Sequence, residues 1–286
     1  MKRFPAIAMA WLATLLASIA GVIIARVAFH VEPPLWLGLA ELAMLVALLA
    51  IARARADLRP LGGYVLALTA LKTGGIAIEA IERGAAWTAW TGRVSKTSFM
   101  FADSLLELVP CSLLALTAVG LGRRELFLFR GDLRARRPLP LGLRAVPWTV
   151  LGPALVVLFA GPLALQLVLK ASPDPRLLGR ALASLPLALA FAAFNAAQEE
   201  FRFRAVLLAR LVPVVGAGQA LLLTSAQFGL GHWFGHPSGA SGVVMAGIAG
   251  YAWGGSMLDT RGFFWAWLVH GALDVLIFLL VVMSGR

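Results

Sequence analysis

The segment PLWLGLAELAMLVALLAIA at 34–52 carries a single ionisable side chain, Glu41. A hydrocarbon layer is crossed by about 20 mostly apolar residues in helical conformation. Comparable runs occupy 5–29, 61–80, 101–121, 146–169, 179–210, 213–232, 240–258 and 262–284. In lipid each backbone N–H and C=O must find its partner inside the segment, so such runs fold as helices. The expected fold is therefore all-α, a polytopic membrane helical bundle of about eight or nine transmembrane helices. Composition agrees: 60% of residues are hydrophobic and 14% charged, against about 25% charged in soluble domains. The mean hydropathy is +0.86.

The first run follows Met1-Lys2-Arg3, and SIA at 18–20 resembles a signal-peptide cleavage site. The apolar stretch continues through GVIIARVAF, which favours a retained helix. The single cysteine, Cys111, lies in an apolar run, which excludes an internal disulfide and reads as core packing. The net charge of +11 comes largely from short loops, densest in GRRELFLFRGDLRARRPLPLGLR at 122–144. That is the distribution of a chain facing anionic headgroups, so the partner it implies is the lipid bilayer and no nucleic acid. Its mixture of Leu, Phe and Arg also suits an interfacial amphipathic segment.

This basic stretch divides the chain. Residues 1–121 form an N-terminal set of transmembrane helices of unassigned role, 122–145 a basic loop, and 146–286 a C-terminal transmembrane domain. Glu41 and Lys72 stand within N-terminal spans, where an unpaired charge is costly, and are expected to pair between helices.

Chemistry concentrates after residue 195. QEEFRFRAVLL at 198–208 places four formal charges at the end of an apolar helix. Successive helical residues diverge by about 100°, so Glu199 and Glu200 point different ways. Glu200 stands four residues before Arg204, the favourable acid-first spacing for an ion pair, and Glu199 faces elsewhere with Asn195 one turn earlier. FGLGH brings Phe228 and His232 to one helix face, and HGALD does the same for His270 and Asp274. Counted from the turns at 212–216 and 259–261, at about 1.5 Å per residue, Glu199, His232, His270 and Asp274 lie roughly 15–24 Å deep and can share one layer. Glycines at 229, 231, 247, 250, 254, 255 and 271 permit the close helix approach that a shared site requires. A glutamate in a low-dielectric cavity can deprotonate water, and a histidine with an acid partner can stabilise an oxyanion. The same four side chains are also a plausible zinc set.

These motifs, EExxxR, FxxxH and HxxxN/D in that order, resemble the CPBP family of intramembrane endopeptidases, which includes the CAAX prenyl proteases and bacteriocin-processing or self-immunity proteins. The resemblance covers about residues 179–280. It implies that Glu199 is the general base for water, that His232 assists it, and that His270 and Asp274 hold the oxyanion side. Glu200, Arg204 and Phe228 would support the site structurally. The family is described both as metal-dependent and as glutamate-dependent. With the HExxH spacing absent the metal-free version is favoured, so no cofactor is expected; the zinc alternative would use Glu199, His232, His270 and Asp274. Two positions depart from the family pattern: Ala205 replaces the Gly that often follows Phe-Arg, and Asp274 replaces the Asn of the prenyl proteases. The resemblance implies a lipidated or C-terminally anchored protein or peptide as substrate, while the compact length and the absence of complex targeting signals suit a multi-pass protein of the bacterial inner membrane. Rival readings are a non-catalytic immunity or partner protein of the same family, an ion- or proton-coupled transporter, and a serine protease using GASG at 239–242 with His270 as base.

Overall fold

The computed structural model describes residues 4–138, 144–172, 174–235 and 238–284, so the N-terminal Met1-Lys2-Arg3 and part of the basic stretch, 139–143, lie outside the described residues. The helices are α1 (Phe4–Ala17), α2 (Ala20–Ala28), α3 (Leu35–Ala54), α4 (Gly62–Glu82), α5 (Ala85–Thr91), α6 (Lys96–Leu106) and α7 (Leu108–Thr117) in the first half. The second half holds α8 (Trp148–Ala171), α9 (Pro175–Ala183), α10 (Leu185–Glu200), α11 (Val206–Val215), α12 (Ala217–Gly231), α13 (Gly239–Thr260) and α14 (Phe264–Met283). A short antiparallel pair, Arg136–Arg137 with Val146–Pro147, is the only strand structure among the described residues.

The eight or nine runs read from the sequence resolve differently. Five helical segments are long and apolar enough to cross a membrane, and seven if each of two bent pairs counts as one span. The run at 5–29 bends by 60° between α1 and α2. Ser18 causes the break: its Oγ donates to the Leu15 carbonyl and accepts from the Ala20 N–H, which interrupts the helical ladder. The run at 179–210 is bent by 52° between α9 and α10. The run at 213–232 becomes α12, whose 15 residues extend about 22 Å at 1.5 Å per residue, short of a full crossing. The residues after its last turn, His232 among them, therefore begin inside the bundle.

The described residues of the basic stretch at 122–145 form no helix. Its described residues are turns strapped to the connection between α13 and α14. Asp132 N–H donates to Thr260 O at 2.8 Å, Phe263 N–H to Phe129 O at 2.7 Å, and Asp259 receives Arg137 at 2.9 Å and Trp148 Nε1 at 3.0 Å.

Packing joins the two halves of the chain. In the second half α10 lies against α14 and α12 against α13; in the first, α4 lies against α3 and α7. One apolar core runs through both, from Leu45, Tyr64 and Leu114 to Leu207, Phe228 and Trp253. Gly229 permits close α12–α13 approach, because a Cβ there would lie 2.5 Å from the Val243 carbonyl oxygen. Cys111 is part of this interior, with Sγ 3.8 Å from the Gln198 carbonyl oxygen.

Glu41 of α3 and Lys72 of α4 form a buried ion pair. Removing one partner leaves the other charge desolvated and alone. Lys72→Ala is expected to destabilise the detergent-solubilised protein by about 3–5 kcal/mol, while the double change Glu41→Leu with Lys72→Leu keeps a midpoint near the parent. Thermal denaturation of the three proteins checks this.

Candidate active site

The rod from Leu185 to Val215 is α-helical at both ends but turns as a π-helix over Phe201–Ala205, directly after the two glutamates. The wider turn lets α10 and α11 run on as one rod while shifting the register of side chains beyond Glu200. Such insertions are costly and concentrate at functional positions.

Glu200 and Arg204 are both fully buried, and Arg204 Nη1 donates to Glu200 Oε1 at 2.7 Å. Arg204 also lies 3.9 Å above the centre of the Phe228 ring and 5.1 Å from that of Trp253. Desolvated cation–π contacts of this kind offset part of the cost of burying the guanidinium. Gly250 makes room for it, since a Cβ there would meet Arg204 Nη2 at 2.7 Å. Glu200 Oε1 has a second donor: His270 Nδ1 lies 2.8 Å away. A carboxylate only accepts, so Nδ1 carries a proton and Nε2 faces the opposite direction. There it meets Glu199 Oε2 at 3.5 Å and Asp274 Oδ1 at 3.7 Å. The two adjacent glutamates thus diverge along the helix and reach the same imidazole from its two nitrogens. Glu199 keeps 19% of its side chain accessible whereas Glu200 keeps none. Trp253 stacks on the imidazole, centroids 4.3 Å apart and planes 14° apart, which fixes the ring plane.

Asn195, one turn before Glu199, completes the cluster. Its Nδ2 donates to Asp274 Oδ2 at 3.0 Å and to Glu199 Oε1 at 3.3 Å. Asp274 therefore leans on Asn195, and it is Glu200, not Asp274, that orients His270.

Glu199, Glu200, Arg204, Phe228, His270 and Asp274 come together; His232 sits at the edge. It caps α12, its Nδ1–H donating to the Phe228 carbonyl at 2.9 Å, and its ring centre is 4.4 Å from that of Phe228. No hydrogen bond among the described residues joins it to Glu199. The carbonyl can only accept, so the neutral tautomer leaves Nε2 bare. Ser241 of GASG is exposed and donates to the Ser238 carbonyl, and His270 has both nitrogens turned to carboxylates, so the serine-protease arrangement is not formed. Among the described residues no three His, Cys, Asp or Glu side chains form a ready-made metal cage.

Several members of the site were not singled out from the sequence. Trp253 had no motif to mark it. Ser104 and Glu107 lie about ninety residues upstream, Ser104 bonded to Asn195 and Glu107 paired with Arg202. Only Asn195, at a helical spacing from Glu199, carried a readable signal.

Residues 181–276 match the family described as type II CAAX prenyl endopeptidase Rce1-like. No curated protein and no solved structure matches the chain. The matched segment holds Asn195 through Asp274 and leaves Ser104 and Glu107 outside.

Replacing Arg204 with Met strands the Glu200 carboxylate in the core. The expected loss is about 3–5 kcal/mol, read as a lowered denaturation midpoint in detergent. Arg26→Ala, which removes an exposed pair with Glu32, is expected to change stability by about 1 kcal/mol or less.

Proposed function

With residues 181–276 matching the type II CAAX prenyl endopeptidase family, we propose that the protein hydrolyses a peptide bond of a membrane-anchored protein or peptide, lipidated or C-terminally anchored, using Glu199 as general base. The observation that supports this reading best is the pair of environments around the Glu199 carboxylate. Oε1 is tied to Asn195, while Oε2 lies 3.5 Å from His270 Nε2, beyond a strong hydrogen bond, on a side chain that keeps 19% of its surface accessible. An oxygen so disposed is free to take a proton from water.

In the proposed reaction Glu199 Oε2 accepts one proton of a water whose oxygen attacks the scissile carbonyl. The C–O bond forms as the carbonyl π electrons move to oxygen. His270, protonated at Nε2, donates to that oxyanion, held in place by Glu200 at Nδ1 and by Trp253 across its face. Collapse of the tetrahedral intermediate breaks the C–N bond, and Glu199 returns its proton to the departing amine. His232, with Nδ1 committed to the Phe228 carbonyl, keeps Nε2 free and is assigned the part of auxiliary acceptor. The proposed reaction needs no metal ion.

The site suits a substrate delivered from the membrane. It lies among apolar helices, and α12 ends short of a full crossing beside His232. Location in a bacterial inner membrane is part of the same proposal. Basic residues collect in the loops after α3 and α7, so those loops are assigned to the cytoplasm and the α5 segment to the opposite side. Compartment-specific reporters fused at 122–130 and at 92–95 are expected to report opposite faces, the first cytoplasmic; the reverse result would overturn the assignment.

The decisive experiment compares membrane proteomes of cells carrying the intact protein with cells carrying Glu199→Gln. A precursor should accumulate uncleaved in the variant, with processing slowed by about 10²–10⁴-fold. Undiminished processing in Glu199→Gln would end the general-base reading. Full activity after verified metal removal from purified protein is expected, and a loss that added zinc reverses would favour the metal-dependent chemistry.

A further inference from the structure

The carboxamide of Asn195 is the most completely bonded polar group beside the reacting side chains. Its oxygen accepts from Ser104 Oγ at 3.0 Å and from Gln198 Nε2 at 3.3 Å, and its nitrogen donates to Asp274 and Glu199. Ser104 Oγ in turn accepts from Gln198 Nε2, so the hydroxyl has its donor and an acceptor position both engaged. Reversing the amide would turn its carbonyl toward two carboxylates and its N–H groups toward the Gln198 amine. Only one orientation turns the Asn195 N–H groups to the two carboxylates and its oxygen to the Ser104 and Gln198 donors, while Gln198 Oε1 itself has no partner among the described residues.

A primary amide has two N–H bonds, and here each serves one carboxylate. Asn195 therefore spaces two like charges that sit on different helices, Glu199 on α10 and Asp274 on α14. It also decides which Glu199 oxygen is tied and which faces His270. Ser104 belongs to α6, outside the family match at 181–276. It is 3% exposed, and its hydroxyl reaches across to set the amide.

We propose that Asn195 is a positioning residue for the hydrolytic step, aligning the Glu199 carboxylate against Asp274, and that Ser104 of the N-terminal half holds Asn195 in the working orientation. This rests on the reading of Glu199 as general base. It also assigns a task to part of the first 121 residues: α6 supplies the outermost anchor of the site. Asn195 does not touch the substrate in this scheme, so its loss acts on the rate of the chemical step and spares binding.

The test uses the full chain in detergent micelles and an internally quenched peptide bearing a farnesylated cysteine near its C-terminus. Asn195→Ala is expected to lower kcat about a hundredfold with KM changed by about twofold or less. Asn195→Asp, which keeps the shape but replaces the donor with a third carboxylate, is expected to be at least as impaired. Ser104→Ala should lower kcat about tenfold, and Ser104→Thr, which retains the hydroxyl, should recover most of it. A purely structural part for these residues would instead lower the denaturation midpoint and leave kcat per folded molecule intact. Parent-like kcat in both Asn195 variants overturns the inference. Equal impairment of Ser104→Thr and Ser104→Ala overturns the role of Ser104. Glu199→Gln separates the two levels: undiminished kcat there removes the general-base reading itself, whereas an inactive Glu199→Gln beside a fully active Asn195→Ala removes only the positioning proposal.

Discussion

A carboxylate inside an apolar bundle is tolerated only where donors meet it, and Glu200 is met twice, by Arg204 Nη1 and by His270 Nδ1. Those two bonds tie α10 and the π-turn to α14 at one buried oxygen. The remaining arrangement follows from them. Arg204, fixed by Glu200, lies over Phe228 and so joins α12; Trp253 of α13 covers His270 from the side. Four helices are thereby registered around a single charge cluster, and the imidazole is left with one nitrogen to present to Glu199 and Asp274.

The cluster has an outer layer that the matched segment does not contain. Glu107 answers Arg202 and Ser104 answers Asn195, both from the helices at 96–117. Buried charges and amides need partners, and Arg202 and Asn195 each find one in the first half. This gives a physical reason for the continuous core between the halves. The Glu41–Lys72 pair obeys the same requirement farther from the site, where it ties α3 to α4.

Much of this was legible in the chain. Apolar run length identified a helical membrane bundle, because lipid leaves the backbone no other way to satisfy itself. The i, i+4 spacing of Glu200 and Arg204 announced their pairing, and the 100° step between Glu199 and Glu200 announced their divergence. Less was legible where apolarity alone was the guide. It did not reveal that Ser18 would break the first run or that α12 would be short, since those depend on single hydrogen bonds and on turn positions.

What the sequence determined by itself was local: which segments are helices, which side chains share a helix face, and which charges sit at four-residue spacing. Only the tertiary structure decided that Glu200 orients His270, that Asp274 leans on Asn195, that His232 stands at the rim, and that Ser104 and Glu107 belong to the site. Helical periodicity is a property of one segment and can be read from it. Contacts between segments depend on how apolar faces interlock and on which buried polar groups find partners, and those are settled only when all the helices pack together.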